Sequence, residues 1–383
     1  MDRQGFGTAS PGTLVPTLGQ RNAFVPALLP PQLDLNPLAS AMSEASQATG
    51  ELKGIGRSVP NPSLLIRPLQ RREAVSSSGM EGTYTTLSDL YLFEAGADDA
   101  GRREDNQEVF NYVRALEGAI AELATLPISS RLLRNAHSLL LAGVQRHRGA
   151  TIEAGELKRD QNWIGGGGRI ENARFIPPPP KEAQQALDGL AAYINREDRQ
   201  AIPPLIDVAL AHYQFETIHP FADGNGRVGR MLVTLMLIER DVLPQPLLYM
   251  SPWLERRKDD YIDLMFEVSR SGAWLDWLGF FLEGVKASAV GTITVVERMQ
   301  DLQRTYRERF QTARRSALIP RIIDLAFEQP VMTITEIANR TGTSYQSAAN
   351  NVAPLIKAGL AREIGSHPKL IVFGEVLDAL RSD

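Results

Sequence analysis

Cysteine is absent from the 383-residue chain, which excludes disulfides, thiolate metal sites and a cysteine nucleophile. Excess positive charge is also missing, and the formal net charge of −4 argues against a general binder of nucleic acid or anionic membranes. The N-terminus has no basic stretch followed by an apolar core, and no apolar run approaches the ~18 residues of a membrane span. We therefore expect a cytoplasmic protein without a membrane partner.

Helical periodicity dominates the chain, and we predict a mainly α fold in several parts. A tail rich in Gly, Pro, Ser and Thr, predicted to be disordered, precedes an N-terminal helical region. A larger helical region, a connecting helix and a small C-terminal domain follow. The predicted boundaries, in that order, are 1–22, 23–100, 101–285, 286–315 and 316–383.

One segment of the helical middle is predicted to be β structure. In GELKRDQNWIGGGGRIENARFIPPPP, two short β-prone pieces at 163–164 and 174–176 are joined by a four-glycine turn and ended by four prolines. Glycines allow the chain to reverse and prolines end strand pairing, which indicates a β-hairpin. A lone hairpin is marginally stable in water, so this one must pack on the helices.

The stretch HPFADGNGRVGR, residues 219–230, contains the G-x-G-x-x-G spacing of dinucleotide-binding turns in Gly224, Gly226 and Gly229. A dinucleotide-binding fold needs a buried strand before these glycines. The preceding LIDVALAHYQFETI has helical periodicity instead, and another helical pattern follows. The sequence therefore disfavours a Rossmann turn.

A metallohydrolase site is the second interpretation, because His212 and Glu216 are one helical turn apart and His219 lies nearby. The H-E-x-x-H spacing of zinc hydrolases is missing. We therefore interpret His212 as an ordinary helix residue whose partner could be a neighbouring carboxylate.

A phosphate site explains more of the same residues. The sequence GNG at 224–226 lets successive backbone N–H groups turn inward at the N-terminus of a helix that begins near Arg227, which creates an anion nest. Arg227 and Arg230 are three apart on that helix and can grip separate phosphates of one polyphosphate.

The residues before the nest add the remaining chemistry. Asp223 is a hard oxygen ligand suited to Mg²⁺ that bridges phosphate oxygens. His219 is the side chain of this stretch whose ordinary pKa suits removal of a proton from a hydroxyl near neutral pH. Phe221 is expected beneath the loop. The combination indicates nucleotidyl or phosphoryl transfer to a hydroxyl, and the alternative is a structural glycine loop with solvated charges.

The stretch 219–230 matches the Fic-family signature H-x-F-x-(D/E)-G-N-G-R-x-x-R at every fixed position. QNWIGG with FIPPPP, here called the flap (161–180), resembles the family's β-hairpin that docks the target's backbone as an added strand. FVPALLPPQLDL and NPSLLIRPLQRREAVSSSGMEGTYTT resemble the N-terminal region of the family's common bacterial subgroup. The resemblance spans roughly 23–285 and implies a Fic-type helical bundle with the catalytic domain at 101–285.

The resemblance implies AMPylation, in which AMP passes from ATP to a Ser, Thr or Tyr hydroxyl of a protein and pyrophosphate is released. His219 would be the general base, and Asp223 would hold Mg²⁺ against the phosphates. The protein substrate is not identified by the sequence, and self-modification and a homodimer stay open. The nucleotide-binding residues that the resemblance implies are Gly224, Asn225, Gly226, Arg227, Val228, Gly229, Arg230 and Tyr261.

The sequence SSSGMEG contains Ser77, Glu81 and Gly82 in the spacing of the family's inhibitory motif, (S/T)-x-x-x-E-(G/N). A carboxylate paired with Arg230 would remove a cation that the γ-phosphate needs and put negative charge in its place. We therefore expect a poorly active protein that Glu81→Gly releases. Local sequence alone also allows a surface residue at a helix end, with Ser77 as a cap. The same carboxylate could position a water, which keeps de-AMPylation open.

Residues 316–383 predict three helices and a β-hairpin, the pattern of a winged helix-turn-helix. Gln346, Asn350 and Asn351 on its candidate recognition helix could read DNA base edges. Residues 314–383 hold eight Lys and Arg against seven Asp and Glu, whereas phosphate neutralisation supplies most non-specific affinity for DNA. We therefore favour a protein contact over a DNA contact.

Two other functions stay open from the residues alone. A transcriptional regulator could use the anion nest only to sense a nucleotide, although a sensor needs no base at His219. A related enzyme could transfer a different phosphate-containing group. The residues His219 and Asp223 together favour an enzyme.

Overall fold

Apolar residues at helical spacing recur along the chain, and helices accordingly make up most of the computed structural model. The structure describes residues 5–58, 61–97, 103–144, 153–310, 316–365 and 368–381. Over these ranges the β structure consists of two short antiparallel sheets and one isolated bridge. The mainly α fold class is therefore confirmed.

The helices and strands follow in chain order. They are β1 Gly12–Pro16, β2 Asn22–Pro26, α1 Ala39–Ser58, α2 Ser63–Met80, α3 Leu87–Glu94, α4 Arg103–Leu123, α5 Ser130–Leu140, α6 Pro180–Ile194, α7 Pro204–Ile218, α8 Asn225–Glu239, α9 Ser251–Arg256, α10 Lys258–Ser271, α11 Trp274–Phe310, α12 Leu318–Glu328, β3 Val331–Thr333, α13 Ile334–Thr341, α14 Tyr345–Lys357, β4 Arg362–Ile364, β5 Leu370–Val372 and α15 Gly374–Ala379.

The chain forms two compact units. The first comprises Met1–Gly50, Asn111–Pro244 and Met250–Ala287, and the second comprises Glu51–Phe110, Gln245–Tyr249 and Ser288–Asp383. This grouping differs from the predicted domains, because α2 packs against α12 and so joins part of the N-terminal helical region to the C-terminal residues. The predicted boundary at 285–286 falls inside the continuous helix α11.

The helices α7 and α8 form the centre of the first unit. Nearly every residue of α7 is buried, which explains its almost continuous apolar sequence. This helix packs against α6, α8, α10 and β2, and the indole N–H of Trp277 donates to the carbonyl of Ala209 at 3.1 Å. The connection between α7 and α8 therefore starts and ends on buried helices.

Residues 12–26 form an antiparallel hairpin of β1 with β2, so the predicted disorder of 1–22 is wrong over this part of the tail. Aromatic contacts anchor the hairpin: Phe6 stacks on Phe24 with ring centroids 5.6 Å apart, and Phe24 lies against Phe175 of the flap. The Phe24 N–H also donates to the Ile176 carbonyl at 2.9 Å. Burial of these rings offsets the entropy lost when the tail is ordered.

The flap contains the predicted reversal, but its strand pairing is confined to one bridge between Ile164 and Phe175. The four glycines at 165–168 have φ between 59° and 85°, a range that only glycine adopts readily. The flap therefore depends on its neighbours, as expected for a lone hairpin. Its apolar anchor to the N-terminal hairpin consists of Ala23, Ile170 and Ile176.

In the second unit, α2 ends in a glycine cap. Gly82 has φ 87°, its N–H donates to Gly79 O at 2.9 Å, and the Thr83 N–H donates to Ser78 O at 3.0 Å. These two bonds satisfy carbonyls at the end of the helix, in the pattern of a Schellman motif. The helix α3 then starts after Thr86, whose hydroxyl caps its first turn. Both helix limits follow from residues within a few positions of them in the sequence.

The C-terminal residues of the second unit contain α12, α13 and α14 with a three-stranded antiparallel sheet in the order β3-β5-β4. The three helices and the hairpin of β4 with β5 were predicted. The strand β3 was not, because its three residues VMT are too short to show a strand period. Asn61 Nδ2 donates to Glu328 Oε1 at 2.8 Å beside the contact of α2 with α12.

The helix α11 contains an 18-residue window with a mean hydropathy of 1.3, long and apolar enough to cross a membrane by length and composition. Of that window, 56% is buried inside the protein. A core helix passes the same test, so one such helix is weak support for a membrane span.

Candidate active site

His219 follows α7 directly and occupies the left-handed region, with φ 49° and ψ 59°. Its N–H donates to the Phe215 carbonyl at 3.0 Å, and its Nδ1 lies 3.3 Å from the Glu216 carbonyl. Because a carbonyl only accepts, this contact favours a proton on Nδ1 and leaves the lone pair of the neutral ring on Nε2. Left-handed backbone at a residue other than glycine is uncommon and clusters at functional sites.

Asn225 holds the loop between α7 and α8 closed. Its Oδ1 accepts from the Phe221 N–H at 2.8 Å, and its Nδ2 donates to the Phe221 carbonyl at 2.9 Å. Phe221 is buried beneath the loop, as predicted. We expected Asn225 to act at the phosphates, but both polar atoms of its side chain serve the loop, so its backbone N–H is the group suited to that role.

His137 on α5 is a loop-holding residue that the sequence did not reveal. Its ring stacks on Phe221 with centroids 3.9 Å apart. Its Nδ1 accepts from the Gly155 N–H at 2.9 Å, so the ring proton is on Nε2, which donates to the Asp223 carbonyl at 3.0 Å. Burial lowers the pKa of His137 to about 4, which keeps the ring neutral. In the sequence it appears only as one residue of an amphipathic helix.

Gly224 precedes α8 in a conformation that suits glycine, with φ 77°. A Cβ at this position would also lie 3.3 Å from Leu140 and 3.4 Å from His137. The turn brings the N-terminus of α8 to the loop, where first-turn N–H groups have no acceptor within a helix and favour anions. The predicted nest at 224–226 thus coincides with a helix N-terminus.

Asp223 and the predicted phosphate-binding arginines lie around this helix start. Asp223 Oδ1 accepts from the Gly224 N–H at 2.6 Å and is 4.0 Å from Arg227 Nη2. Arg227 and Arg230 lie on α8 one turn apart and are only 1% and 4% exposed. A guanidinium shielded from water interacts more strongly with a phosphate than an exposed one does.

Two residues of the predicted nucleotide-binding set also take part in core packing. Val228 is buried in the contact of α8 with its neighbours. A Cβ on Gly229 would lie 2.1 Å from Glu216 Oε1 and 3.1 Å from Phe215, so this glycine permits the close approach of α7 and α8. The structure therefore gives Val228 and Gly229 packing roles, because their positions on α8 point to α7 and the core.

Tyr261, predicted to lie near the adenine, takes part in a buried hydrogen-bonded chain. Its hydroxyl donates to His212 Nε2 at 2.8 Å, and His212 Nδ1 donates to the Gly229 carbonyl at 3.0 Å. The Tyr261 ring also packs near Trp277. Burial lowers the pKa of His212 to about 3. The adenine contact of Tyr261 stays a prediction, and the partners of His212 are a tyrosine and a carbonyl in place of a carboxylate.

The predicted inhibitory residues lie at the end of α2 in the second unit. Ser77 is inside the helix and buried, so it is not a helix cap. Glu81 is the first residue after the helix, and Gly82 provides the left-handed turn that ends it. The helix therefore ends at Glu81 because the glycine that follows it favours the left-handed cap.

Residues that could hold a metal ion are few in the described part of the chain, where no group of three or more His, Cys, Asp or Glu forms a cluster. Asp223 offers one carboxylate beside the anion site, with Oδ1 already accepting a backbone N–H. Mg²⁺ commonly takes one or two carboxylates and fills its other positions with substrate phosphates and water. Asp223 therefore fits an ion that arrives with a polyphosphate, and does not fit a cage built from protein ligands alone.

A groove of about 940 Å³ lies beside the loop. Ala222 of the loop is in its wall, and the facing residues include Lys158, Asn162 and Trp163. Leu18 from the turn of the N-terminal hairpin also lines it and is 60% exposed. The groove therefore joins the loop to the flap within the first unit.

The sequence matches two family profiles, "Fic/DOC family N-terminal" over 39–121 and "Fic/DOC family" over 127–237, which together span just over half of the chain. The chain belongs to the Fic/DOC family. The second match contains the loop, all of α7 and α8 as far as residue 237.

Curated relatives include the "Protein adenylyltransferase Fic" of Drosophila virilis, 29% identical over 171 residues, which are 44% of this chain and 33% of that protein. The protein of the same name from Drosophila mojavensis is 30% identical over 171 residues, 44% of this chain and 32% of that protein. The chain spans about a third of the length of these relatives.

Solved structures show the same fold. A Fic family protein from Desulfovibrio desulfuricans superimposes with a TM-score of 0.55 at 19% identity, covering 90% of this chain and 98% of that chain. A fragment of Fic-1 from C. elegans has a TM-score of 0.52 at 20% identity, covering 68% of this chain and 74% of that one. At these identities the likeness supports the fold and leaves the activity to be argued from the site.

Proposed function

We propose that this chain transfers AMP from ATP to a hydroxyl of a protein. The observation that carries the proposal is the arrangement of one loop, which begins with His219 after α7 and ends at the N-terminus of α8. A candidate base and an anion site are therefore neighbours, with a groove of about 940 Å³ beside them for an extended segment. The relatives named protein adenylyltransferase support the same reaction.

In the proposed reaction, Nε2 of His219 accepts the proton of the target hydroxyl. The hydroxyl oxygen then bonds to the α-phosphorus of ATP, the bond between that phosphorus and the oxygen it shares with the β-phosphate breaks, and pyrophosphate leaves. The contact of Nδ1 with the Glu216 carbonyl supports the tautomer that this step needs and stabilises the imidazolium that forms.

The anion site would hold the phosphates. First-turn N–H groups of α8 and the guanidiniums of Arg227 and Arg230 supply donors and positive charge for the nucleotide and for the charge that develops in the transition state. Asp223 would hold Mg²⁺, which supplies neutralisation of the phosphate charges. The groove beside Ala222 would take the target segment, with the backbone of the flap at Trp163, in the wall of the groove, as the candidate for strand pairing.

We propose as well that Glu81 restrains this activity through Arg230. The support is the motif spacing and the position of Glu81 directly after α2, as the C-cap of that helix. A carboxylate on Arg230 would leave ATP with its phosphates misplaced for in-line attack. The same residue could support removal of AMP, for which the assay is release of AMP from a labelled protein.

The reaction is tested with Mg²⁺ and ATP labelled at either the α- or the γ-phosphate, using wild type, Glu81→Gly and the double variant Glu81→Gly with His219→Ala. Transfer of AMP predicts α-label on protein, more with Glu81→Gly than with wild type, and none once His219 is replaced. Label from the γ-phosphate would instead mean phosphorylation. Nucleotide binding without protein labelling would favour the sensor function.

We propose that residues 316–381 form a winged helix, because the order α12, β3, α13, α14, β4, β5 and the sheet order β3-β5-β4 suit that fold. A protein contact is favoured over DNA, since Gln346 Nε2 donates to Asn350 Oδ1 at 2.9 Å, so these two candidate base-reading side chains bond to each other. Salt-dependent binding to random duplex DNA would overturn this preference.

A further inference from the structure

Lys158, just before the flap, and Asn162, near its start, bind the loop of His219 at consecutive carbonyls. The Lys158 N–H donates to the Pro220 carbonyl at 2.9 Å. Asn162 Nδ2 donates to the His219 carbonyl at 3.1 Å and to the Phe221 carbonyl at 3.0 Å. The Lys158 ammonium lies 3.4 Å from the Ile218 carbonyl. Four carbonyls in a row, at 218–221, thus accept hydrogen bonds from two residues of another segment.

Lys158 determines which way the Asn162 carboxamide faces. Its Nζ donates to Asn162 Oδ1 at 2.7 Å. A lysine ammonium donates hydrogen bonds and the loop carbonyls accept them. The carboxamide therefore presents Oδ1 to the lysine and Nδ2 to the loop. With the opposite orientation, an oxygen would face the two carbonyls and repel them. The lysine therefore fixes a donor where the loop needs one.

The burial of Lys158 indicates that this arrangement has a specific use. The residue is only 5% exposed, and burial lowers the pKa of its amine to about 7. Placing an amine away from water is unfavourable unless its hydrogen bonds repay the desolvation, and an apolar residue would pack at such a position without that difficulty. The hydrogen bonds that Lys158 makes all lead to the loop, either directly or through Asn162.

The loop needs an external restraint of this kind. His219 holds a left-handed backbone although it has a Cβ, and the next residue is Pro220, which has no N–H to offer to a neighbouring strand or helix. Asn225 and His137 fix the loop at Phe221 and Asp223, which lie after the proline. The Asn162 carboxamide is the contact that spans both sides of it.

We propose that Lys158 and Asn162 are positioning residues for His219, with Lys158 orienting the Asn162 carboxamide and Asn162 holding the carbonyls of His219 and Phe221. This inference rests on the proposed function of His219 as the base. Neither residue touches the reacting atoms in the proposed mechanism, so their loss should reduce turnover more than it weakens ATP binding.

The sharpest test is Asn162→Asp in the full chain. The carboxylate keeps the bond from Lys158 but replaces the donor with an oxygen that faces two carbonyls. Amide hydrogen exchange read on the peptides that contain 216–224 is expected to rise on the order of tenfold or more, because the loop opens locally. In the Glu81→Gly background, kcat for AMP transfer should fall about 10- to 100-fold while KM for ATP stays within about twofold.

Asn195→Asp is the matched control. Asn195 Nδ2 also donates to two backbone carbonyls, those of Ile128 and Ala191, but at the end of α6. This control should leave exchange in the loop and kcat at the parent values. If it changes them as much as Asn162→Asp does, the effect is general destabilisation and the proposal fails.

Lys158→Met and Lys158→Arg test the second residue. Methionine keeps the apolar stem and should reproduce the effects of Asn162→Asp, whereas arginine keeps donors for Oδ1 and should restore part of the lost kcat. Asn162→Ala removes the donor without adding charge and serves if Asn162→Asp does not fold. The double variant Asn162→Ala with Lys158→Met should lose no more kcat than either single variant does. Additive losses of kcat would contradict the proposed coupling.

Hydrogen exchange separates this inference from the proposed function. If neither wild type nor Glu81→Gly transfers AMP, the proposed reaction is wrong, yet the exchange rates still report whether Lys158 and Asn162 hold the loop. Unchanged exchange in both Asn162 variants and in Lys158→Met would refute the inference by itself.

Discussion

Asn225 bonds to the backbone of Phe221 through both polar atoms of its side chain, accepting at 2.8 Å and donating at 2.9 Å. The two residues are four apart, so this one side chain closes the loop on itself at the start of α8. A residue of the family signature therefore holds together the loop that carries His219 and Asp223.

We expect Asn225→Ala to destabilise the protein and to abolish most AMP transfer. The variant leaves the buried Phe221 N–H without its acceptor, at a cost of roughly 1–3 kcal/mol in the free energy of unfolding. The loop then relaxes, so Asp223 and the N-terminus of α8 lose their shared geometry. Urea unfolding and α-labelled ATP in the Glu81→Gly background measure the two effects.

Asn111→Ala provides the comparison for Asn225→Ala. Asn111 is also buried in the first unit, and its Nδ2 donates to the Ala142 carbonyl at 2.7 Å. We expect a similar loss of stability with labelling close to the parent level at a temperature where both variants are folded. Equal losses of labelling would mean that Asn225 acts through stability alone.

His137 makes the protein sensitive to acid. Its pKa in the folded protein is about 4, below the ordinary 6.5, because burial disfavours the charged ring. As pH falls below 6.5, the unfolded chain takes up a proton that the folded protein does not, so stability decreases until pH reaches about 4 and is constant below it with respect to this group. The full effect is roughly 3 kcal/mol.

We therefore expect wild type to lose more stability than His137→Gln between about pH 7.5 and about pH 5. Glutamine can donate to the Asp223 carbonyl but has no titrating ring. His212, with a pKa of about 3 and the same direction of effect, is present in both proteins and cancels in the comparison. Urea unfolding at the two pH values measures the free energy of unfolding of each protein. Equal losses in the two proteins would show that His137 does not titrate as stated.

The N-terminal hairpin should protect the flap from proteolysis. Phe24 is fully buried against Phe6 and Phe175, and its replacement by alanine removes roughly 3–5 kcal/mol of packing. We expect Phe24→Ala to speed trypsin cleavage after the exposed Arg169 of the flap. Phe327→Ala, at a buried position of the second unit, should lower stability without that local cleavage. Mass spectrometry of the first cleavage products distinguishes the two.

The helix–loop–helix of the site was predictable from the sequence, because its information is local. Helical periodicity on both sides of HPFADGNGRVGR gave α7 and α8, and the glycines between them gave the turn. The end of α2 at Gly82 and the cap at Thr86 are likewise encoded within a few residues. In each of these cases the residues that begin or end the helix lie within a few positions of its limit in the sequence.

The residues that hold the loop were not predictable, because they are distant in sequence. His137 is 86 residues from Asp223, and Asn162 is 57 residues from His219, so no spacing rule relates them. The hairpin at 12–26 was missed for a similar reason: a composition typical of disorder conceals aromatic contacts with the flap. Nucleotide contacts at Val228 and Tyr261 stay predictions, because both side chains are buried in the protein core and membership of a motif does not by itself imply contact with a ligand.

Gly229 is the position where the signature sequence and the packing of α7 against α8 impose the same requirement. A Cβ there would lie 2.1 Å from Glu216 Oε1 and 2.9 Å from Glu216 Cδ, and 3.1 Å from Phe215. Oε1 and Cδ both belong to the Glu216 carboxylate and can move together, but the buried Phe215 ring must shift as well, and such overpacking costs roughly 1–3 kcal/mol. Since alanine gains up to about 1 kcal/mol over glycine in a helix, the net effect of Gly229→Ala should be a loss of stability.

Gly291→Ala should have the opposite sign. Gly291 is inside α11, and a Cβ there meets nothing within 4 Å, so only the gain in helix propensity remains. Urea unfolding of Gly229→Ala, Gly291→Ala and wild type measures the two changes in the free energy of unfolding. A stabilised Gly229→Ala would mean that α7 and α8 separate easily. The loop of His219 would then not depend on the close contact of α7 with α8. The hydrogen bonds of His212 to Tyr261 and to the Gly229 carbonyl would have to persist after the helices move apart.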